Sequence, residues 1–437
     1  MGKNKCSHDK CQLDVYDGEK CIFHCEKTKD NGWIIDEKAS SVESRWNLKK
    51  VEEFWRLYLD KTHDFPMKSL IPPFLLEKRI LFERDKDIKL SIVNCIILDD
   101  FIITDFYNDI KVHLLIFKSI IRGKLSLFNS RNRVKPQTSI VLIETLHEGN
   151  IKIFSSTTDS FRMQNSTVNS LDFTNSSFEG KVEISNSVIK KDASFENTVF
   201  KQVADFSNTT FYQNDFTNTL FEDTTSFIES KFCDNVDFKY TVFEKLVIFR
   251  KAIFEKSINF EDSIIKGEAN FLNIILKNKE INIANTETAR IIKHSFDKVG
   301  NTIEANKYFA YEMKKERESI SIKDDLNKKI MLNLNYWISN FGQSWIRPLS
   351  IILVVAILHT LLIYGVDSKN FQIINPSNPI YDFLKWIVDF SNNLAYNILP
   401  FKKSLIHGQE FISLVFLIIY STLIYNLIIA VKRITKR

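Results

Sequence analysis

From Phe173 onward large apolar residues stand at 173, 178, 184, 189, 195, 200, 206, 211, 216, 221, 227, 232, 238, 243, 249, 254, 260, 265, 271 and 276. The steps mostly alternate between five and six residues, which is neither the 3.6-residue period of a helix nor the twofold alternation of a strand. A second set of positions is equally regular. Ser176, Ser187, Thr198, Thr209, Thr219, Ser230, Thr241, Ala252 and Ser263 lie two before every second apolar residue. Val182, Ala193, Ala204, Asn214, Thr225, Val236, Val247, Ile258 and Ala269 lie two before the others. Residues two apart share one face of an extended segment. Each step therefore predicts a short strand with one large and one small side chain inward, followed by a corner. Four such sides close a coil of about 22 residues that stacks on the next at about 4.8 Å. Asn175, Asn186, Asn197, Asn208 and Asn218 fall at corners, where short amides tolerate the backbone and can bond to the next coil. Between Phe206 and Phe221 three five-residue steps run in succession, so a corner near Tyr212–Asp215 should lack its extra residue. The predicted fold class is all-β: a β-solenoid.

The pattern extends backwards more loosely. "RGKLSLFNS" (122–130) parallels "EGKVEISNS" (179–187), aligning Ile116, Ile121 and Leu127 with Phe173, Phe178 and Ile184. The solenoid is placed at 65–286, roughly nine or ten coils at that rise, with an irregular insertion near 130–139. Helical patterns flank it. "RWNLKKVEEFWRLYLDK" (45–61) predicts an N-terminal capping helix within 41–64. Helices starting at Thr286 and Thr302, which suit N-caps, and separated by Gly300, open a helical cap and linker at 287–345. The remainder, 346–437, predicts a membrane domain. Leu349 to Val366 and Phe411 to Val431 carry no formal charge and reach roughly 27 and 31 Å as helices, enough for two transmembrane spans forming a hairpin. Between them 381–401 is amphipathic, with Trp386 and Tyr396, and reads as a surface helix rather than a pore helix.

The units "ASFENTVFKQVADFSNTTF" resemble those of bacterial pentapeptide-repeat proteins, in the Phe-rich, membrane-anchored subclass. "EANKYFAYEMKKE", then "SNFGQSWIRPL", a span and the terminal "LIYNLIIAVKRITKR" are similar to the anchored members, as is the opening "CIFHC". The resemblance implies a right-handed quadrilateral β-helix and is nearly silent on activity. Some relatives mimic DNA, which requires a dense acidic face. Residues 160–286 hold 14 basic and 18 acidic side chains, too weak an imbalance for that role, so no nucleic-acid partner is expected.

Composition adds three points. The 437 residues include 36 Phe but only 11 Gly and 8 Pro, so turns must be built from Asn, Asp, Ser and Thr. A net charge of +5 marks neither a polyacidic nor a strongly basic chain. Of six Cys, four fall within the first 25 residues, and the N-terminus lacks the apolar core of a secretory leader.

Those cysteines make the only metal-like pattern. Residues 1–40 form a Cys/His-rich module in which Cys6, Cys11, Cys21 and His24 read as ligands of a structural zinc, with Cys25 or His8 as the alternative fourth ligand. The competing readings are free thiols or two disulfides. A segment this small needs such a staple. Cys95 and Cys233 read as solenoid residues. His359 lies near the middle of the first span, at the depth of Ser421 and Thr422, which could hydrogen-bond it; packing between helices is the plainer role. Asn426 reads as interhelical glue. No phosphate loop, nucleophile elbow or acid/base pair is present, so no catalytic or cofactor-binding residues are assigned and the protein is read as not an enzyme.

Arg347 precedes the first span, and Lys432, Arg433, Lys436 and Arg437 follow the second, while the loop Lys369, Lys385, Lys402 and Lys403 are not clustered beside a span. Positive-inside reasoning puts both termini in the cytoplasm, on the bacterial inner membrane. The leading expectation is a membrane-anchored scaffold that presents a rigid flank to an unidentified protein partner, with homo-oligomerisation open. The second is a pore or permeability effector, its hairpin oligomerising and its solenoid acting as sensor.

Overall fold

The computed structural model describes residues 5–7, 11, 13–36, 47–61, 87–93, 96–97, 101–104, 111–128, 138–277, 283–321, 323, 325–366 and 410–435, with isolated positions between 383 and 394. It divides into two units, Met1–Ala284 and Asn285–Arg437.

The first unit is dominated by a solenoid in which every ladder is parallel. One face stacks nine strands, from Asp87–Val93 through Val182–Ser185 to Ala269–Asn270. A second face stacks six, from Thr157–Thr158 to Ile264–Ile265. The other two faces join into one 13-stranded sheet, because strands such as Val188–Ser194 and Thr210–Asp215 run around the corner between them.

The inward Phe residues form four ladders, one on each face. Phe206, Phe227, Phe249 and Phe271 stack at 5.0 Å, with ring planes within 8°. Phe200, Phe221 and Phe243 repeat this at 5.0 Å. Phe195, Phe216, Phe238 and Phe260 follow at 4.6–5.0 Å, and Phe211, Phe232 and Phe254 at 5.3 and 5.0 Å. All of these rings are essentially buried. One ring spacing equals the rise of one coil, so burial and backbone pairing are satisfied by the same repeat.

The corners follow the Asn expectation. Asn175, Asn186, Asn197, Asn208 and Asn218 all have φ between 50° and 59°. Asn208 Nδ2 donates to Asn186 Oδ1 at 3.0 Å, and Asn218 Nδ2 to Asn197 Oδ1 at 2.6 Å. The same left-handed corner continues at Glu229, Tyr240, Lys251 and Asp262. The shortened corner also lies where expected: Ile189 pairs with Phe211, but Asp192 pairs with Gln213, so one residue is missing after Phe211.

The phase of the early coils differs from expectation. Ile116 stacks under Leu142, Met163 and Ile184, while Leu127 pairs with Ile153 on a different face. An 11-residue unit occurs twice per coil, so sequence similarity alone allows an error of half a coil. The insertion at 129–137 and the start of the solenoid before Asp87 lie outside the described residues.

Ahead of the solenoid, α1 (Leu48–Lys61) starts three residues later than the predicted helix. Its Val51 and Phe54 are buried, and Phe54 meets Phe23 edge-on at 5.1 Å and Trp33 at 6.5 Å. Its apolar side is thus packed on the Cys/His module.

In the second unit α2 (Thr286–Lys298) and α3 (Thr302–Ser319) form a hairpin turned at Gly300, whose φ is 72°. Their N-caps are Asn285 and Asn301, whose side chains accept from Thr288 N and Glu304 N. The expected caps, Thr286 and Thr302, are the first helical residues instead: the Asn amide one position earlier takes the free N–H groups. Then follow α4 (Leu326–Ser339), α5 (Ile346–Val366) and α6 (Glu410–Thr435). α5 and α6 pack antiparallel: Ile352 and Ala356 of one cluster with Tyr420 and Leu423 of the other, and His359 stacks on Phe416. Among the described residues one helix, Leu414–Thr435, is long and apolar enough to cross a membrane; the described apolar part of α5, Ile346–Leu362, is shorter.

Candidate metal centre

The N-terminal module is built from tight turns over a small apolar core. Lys5 and Asp14 bridge antiparallel, Asp17 and Lys20 close a second turn, and Gly18 sits at φ 60°. Cys6 N donates to Leu13 O at 2.9 Å, and Ser7 N to Glu19 O at 2.8 Å. These bonds carry Cys6 beside the turn at Cys21, where His24 N and Cys25 N both donate to Cys21 O. Beneath it lie buried Ile22, Phe23 and Trp33. Lys27 is buried too: its Nζ donates to Cys25 O at 3.1 Å and lies 5.2 Å from the Trp33 ring centre and 5.3 Å from that of Phe54.

Cys6, Cys11, Cys21 and His24 converge, with their four ligand atoms within 4.8 Å of one another. His24 Nδ1 is 3.2 Å from Cys21 Sγ and 3.5 Å from Cys6 Sγ, and Cys11 Sγ is 3.8 Å from Cys21 Sγ. A tetrahedral ion with metal–sulfur bonds of about 2.3 Å and a metal–nitrogen bond of about 2.0 Å sets edges of about 3.8 Å between sulfurs and about 3.5 Å between sulfur and nitrogen. The donors fit such an ion. The 3.8 Å sulfur separation is also far longer than a disulfide of about 2.05 Å. Burial pushes the Cys21 thiol up to about 12, and backbone N–H groups of Phe23 and His24 only partly offset this, so a thiolate here wants a cation. Cys25 stands apart: its thiol donates to Ile22 O at 3.6 Å, and burial raises its pKa. His8 lies outside the described residues.

Arg122 joins the module to the solenoid, pairing with Glu26 at 2.6 Å and with Glu148 at 3.0 Å. Around the coils, carboxylates and lysines of adjacent turns pair along the axis: Lys256 with Asp234, Lys266 with Glu244, Lys251 with Glu229, each at 2.7 Å. Their interleaving leaves both signs distributed over the flank. At the shortened corner a groove of about 370 Å³ opens, lined by Asp192, Gln213, Asn214, Asp215, Asp234 and Asn235 among others. Cys233 is a half-buried solenoid residue whose N–H donates to Phe211 O; Cys95 is outside the described residues.

In the apolar helices His359 takes its plainer role, packing between helices, while the interhelical role expected of Asn426 is replaced. Ser421 and Thr422 donate back to Leu417 O and Ile418 O of their own helix, and His359 packs against Phe416 at 4.1 Å and Tyr420 at 5.9 Å. Asn426 Nδ2 donates to Thr422 O, a bond within α6 rather than between helices. Of the connecting stretch 381–401, the described Phe383, Trp386, Ile387, Phe390, Ser391 and Leu394 are helical.

One feature was hidden from a polar/apolar reading: the small inward Ser and Thr. From Ser176 to Thr241 each hydroxyl donates to a carbonyl of the coil below, as Ser176 to Ile153, Thr198 to Phe173, Ser230 to Phe206 and Thr241 to Phe216, each at 2.7 Å, whereas Ser263 turns to Phe260 O of its own coil. The signal was available as hydroxyl identity at eight of nine positions, not merely small size.

Parallel strands on four sides, an inward large residue every fifth or sixth position and left-handed corners define the quadrilateral β-helix class. The family model for pentapeptide repeats (9 copies) matches residues 173–219 and 206–253, so this segment of the solenoid is similar to pentapeptide repeats. No curated protein and no solved structure matches the chain. Such a β-solenoid suits a protein-interaction module.

Proposed function

We propose that the chain is a non-enzymatic scaffold, anchored in the bacterial inner membrane with both termini cytoplasmic, whose solenoid flank binds a protein partner. The observation that carries this is a solenoid filled by its own side chains, with inward Phe fully buried along every face, in one chain with the apolar helix Leu414–Thr435. A packed rod offers its surface, not its interior. In this reading α5 crosses with α6 as a hairpin, completed by residues beyond Leu362, and Cys6, Cys11, Cys21 and His24 hold a structural zinc, with Cys25 outside the ligand set.

Crosslinking of the full chain in native membranes, followed by identification of the captured protein, tests the scaffold. A single specific partner whose capture is lost when flank charges are reversed supports it. Ion leak across vesicles holding the reconstituted full chain would instead favour the pore reading.

A further inference from the structure

α4 carries an apolar face that its own unit does not use. Leu326, Ile330, Leu334 and Trp337 recur at steps of four and three, with Met331 alongside, and all five are exposed; Trp337 is 70% exposed. Residues so spaced share one side of a helix. The opposite side is well held: Leu332 is buried with Ala310 and Phe341, and Tyr336 packs there under the guanidinium of Arg317 at 3.8 Å. The exposed stripe is therefore a second face of a docked helix.

Its depth is set by α6. The chain leaves α4 through Asn340, Phe341 and Gly342, all left-handed, with φ of 50°, 55° and 78°. Arg433, in the last turn of α6, donates through Nη1 to Phe341 O at 2.5 Å. Its side chain closes over Gly342, where a Cβ would come within 2.8 Å of Arg433 Cδ. Asn306 Nδ2 donates to Arg433 O at 3.3 Å, and Gln343 Nε2 to Asn306 O at 2.9 Å. A basic residue ending an apolar span marks the water boundary. The end of α4 is tied to that boundary.

We propose that α4 lies in the membrane interface, its Leu326, Ile330, Met331, Leu334 and Trp337 face set into the headgroup–acyl boundary at the basic end of α6. This rests on the membrane reading of α6 given above. The occupant is lipid because the exposed apolar surface resumes directly beyond the buried turn at 339–342: Trp345, Ile346, Leu349 and Leu353 carry it onto α5, the apolar helix packed on α6. Trp337 and Trp345 flank the turn, as ring systems do at bilayer interfaces. Lys328 and Lys329 lie off this face, paired with Glu316 Oε1 at 2.6 Å and with Ile320 O at 2.8 Å. That leaves one apolar and one polar side, the pattern of an in-plane helix.

The test uses the full chain reconstituted into vesicles of phosphatidylcholine and phosphatidylglycerol, with bromine at shallow or deep acyl positions. The emission lost in Trp337→Phe reports Trp337. It should be quenched more by shallow than by deep bromine and be shielded from acrylamide. Asn335→Trp in the Trp337→Phe background, on the polar side, should show the reverse. Acrylamide access without bromolipid quenching, in protein that still floats with vesicles after an alkaline carbonate wash, overturns the α4 placement alone. Silence to both quenchers overturns it too, since protein then covers the face. Loss of flotation removes the membrane reading itself, and this placement with it.

Discussion

His24 Nδ1 lies 3.2 Å from Cys21 Sγ, and the two belong to one turn closed by the His24 N–H on Cys21 O. Residues three apart are thereby fixed as neighbouring corners of a tetrahedron, and Cys6 and Cys11 need only be brought across. Purified protein should carry one zinc per chain, measured by elemental analysis. Cys21→Ser should lose it and Cys25→Ser should keep it; unchanged zinc in Cys21→Ser refutes the ligand set. On the zinc reading, chelation should also shift Trp33 emission, because a metal held there would supply folding energy to so small a module.

Thr241 Oγ1 donates to Phe216 O across one coil. Thr241→Val keeps the shape and removes the donor, at a cost of about 1 kcal/mol. Ala252, the one inward small position of the nine without a hydroxyl, supplies the converse: Ala252→Ser should gain stability. Chemical denaturation of the two variants decides it, and equal midpoints would mean that the slot selects for size alone.

What was legible in the sequence divides along the same physical line. Phe206, Phe211, Phe216 and Phe221 announced the coil because burial in a repeat is periodic, and even the missing residue after Phe211 could be read from spacing. The phase of Ile116 and Leu127 could not, because apolar pairing across coils looks alike on every face. The caps at Asn285 and Asn301 fall one position before the Thr residues to which the sequence points, since Asn and Thr both suit that role. The hydroxyl ladder and the apolar face of α4 needed coordinates: one depends on a partner some 24 residues away, the other on which side of a helix is already occupied.

Tyr240 occupies a left-handed corner, φ 58°, where earlier coils use Asn, and its side chain is exposed. An L-residue without a short polar side chain is strained there by roughly 1 kcal/mol. Tyr240→Asn should raise stability by up to about that amount. A loss would show that the contact of Lys239 with the Tyr240 ring, at 5.3 Å, outweighs the strain.

Asn214 fills an inward slot whose neighbours in the coils on either side are Ala193 and Val236. Neither polar atom of its amide finds a hydrogen-bond partner among the described residues. Such a group costs about 1–3 kcal/mol, so Asn214→Val should stabilise the solenoid by about that amount. If the variant is instead destabilised, the amide has a role in the groove at this corner.

His147 stands at an inward position between Ile121 and Val168 and is buried. Burial lowers its pKa from the usual 6.5 to about 4, with backbone groups at Gly149 and His147 itself offsetting part of the effect. Between those values the unfolded chain binds a proton that the folded coil refuses, so stability rises with pH through the window and is lost as pH falls from about 6.5 towards about 4. The swing is on the order of 3 kcal/mol at most. In His147→Leu this part of the pH dependence should vanish while stability at neutral pH holds or rises. An unchanged slope would place the titrating group elsewhere, and a steep loss at neutral pH would mean the imidazole is held by a bond stronger than its burial is costly.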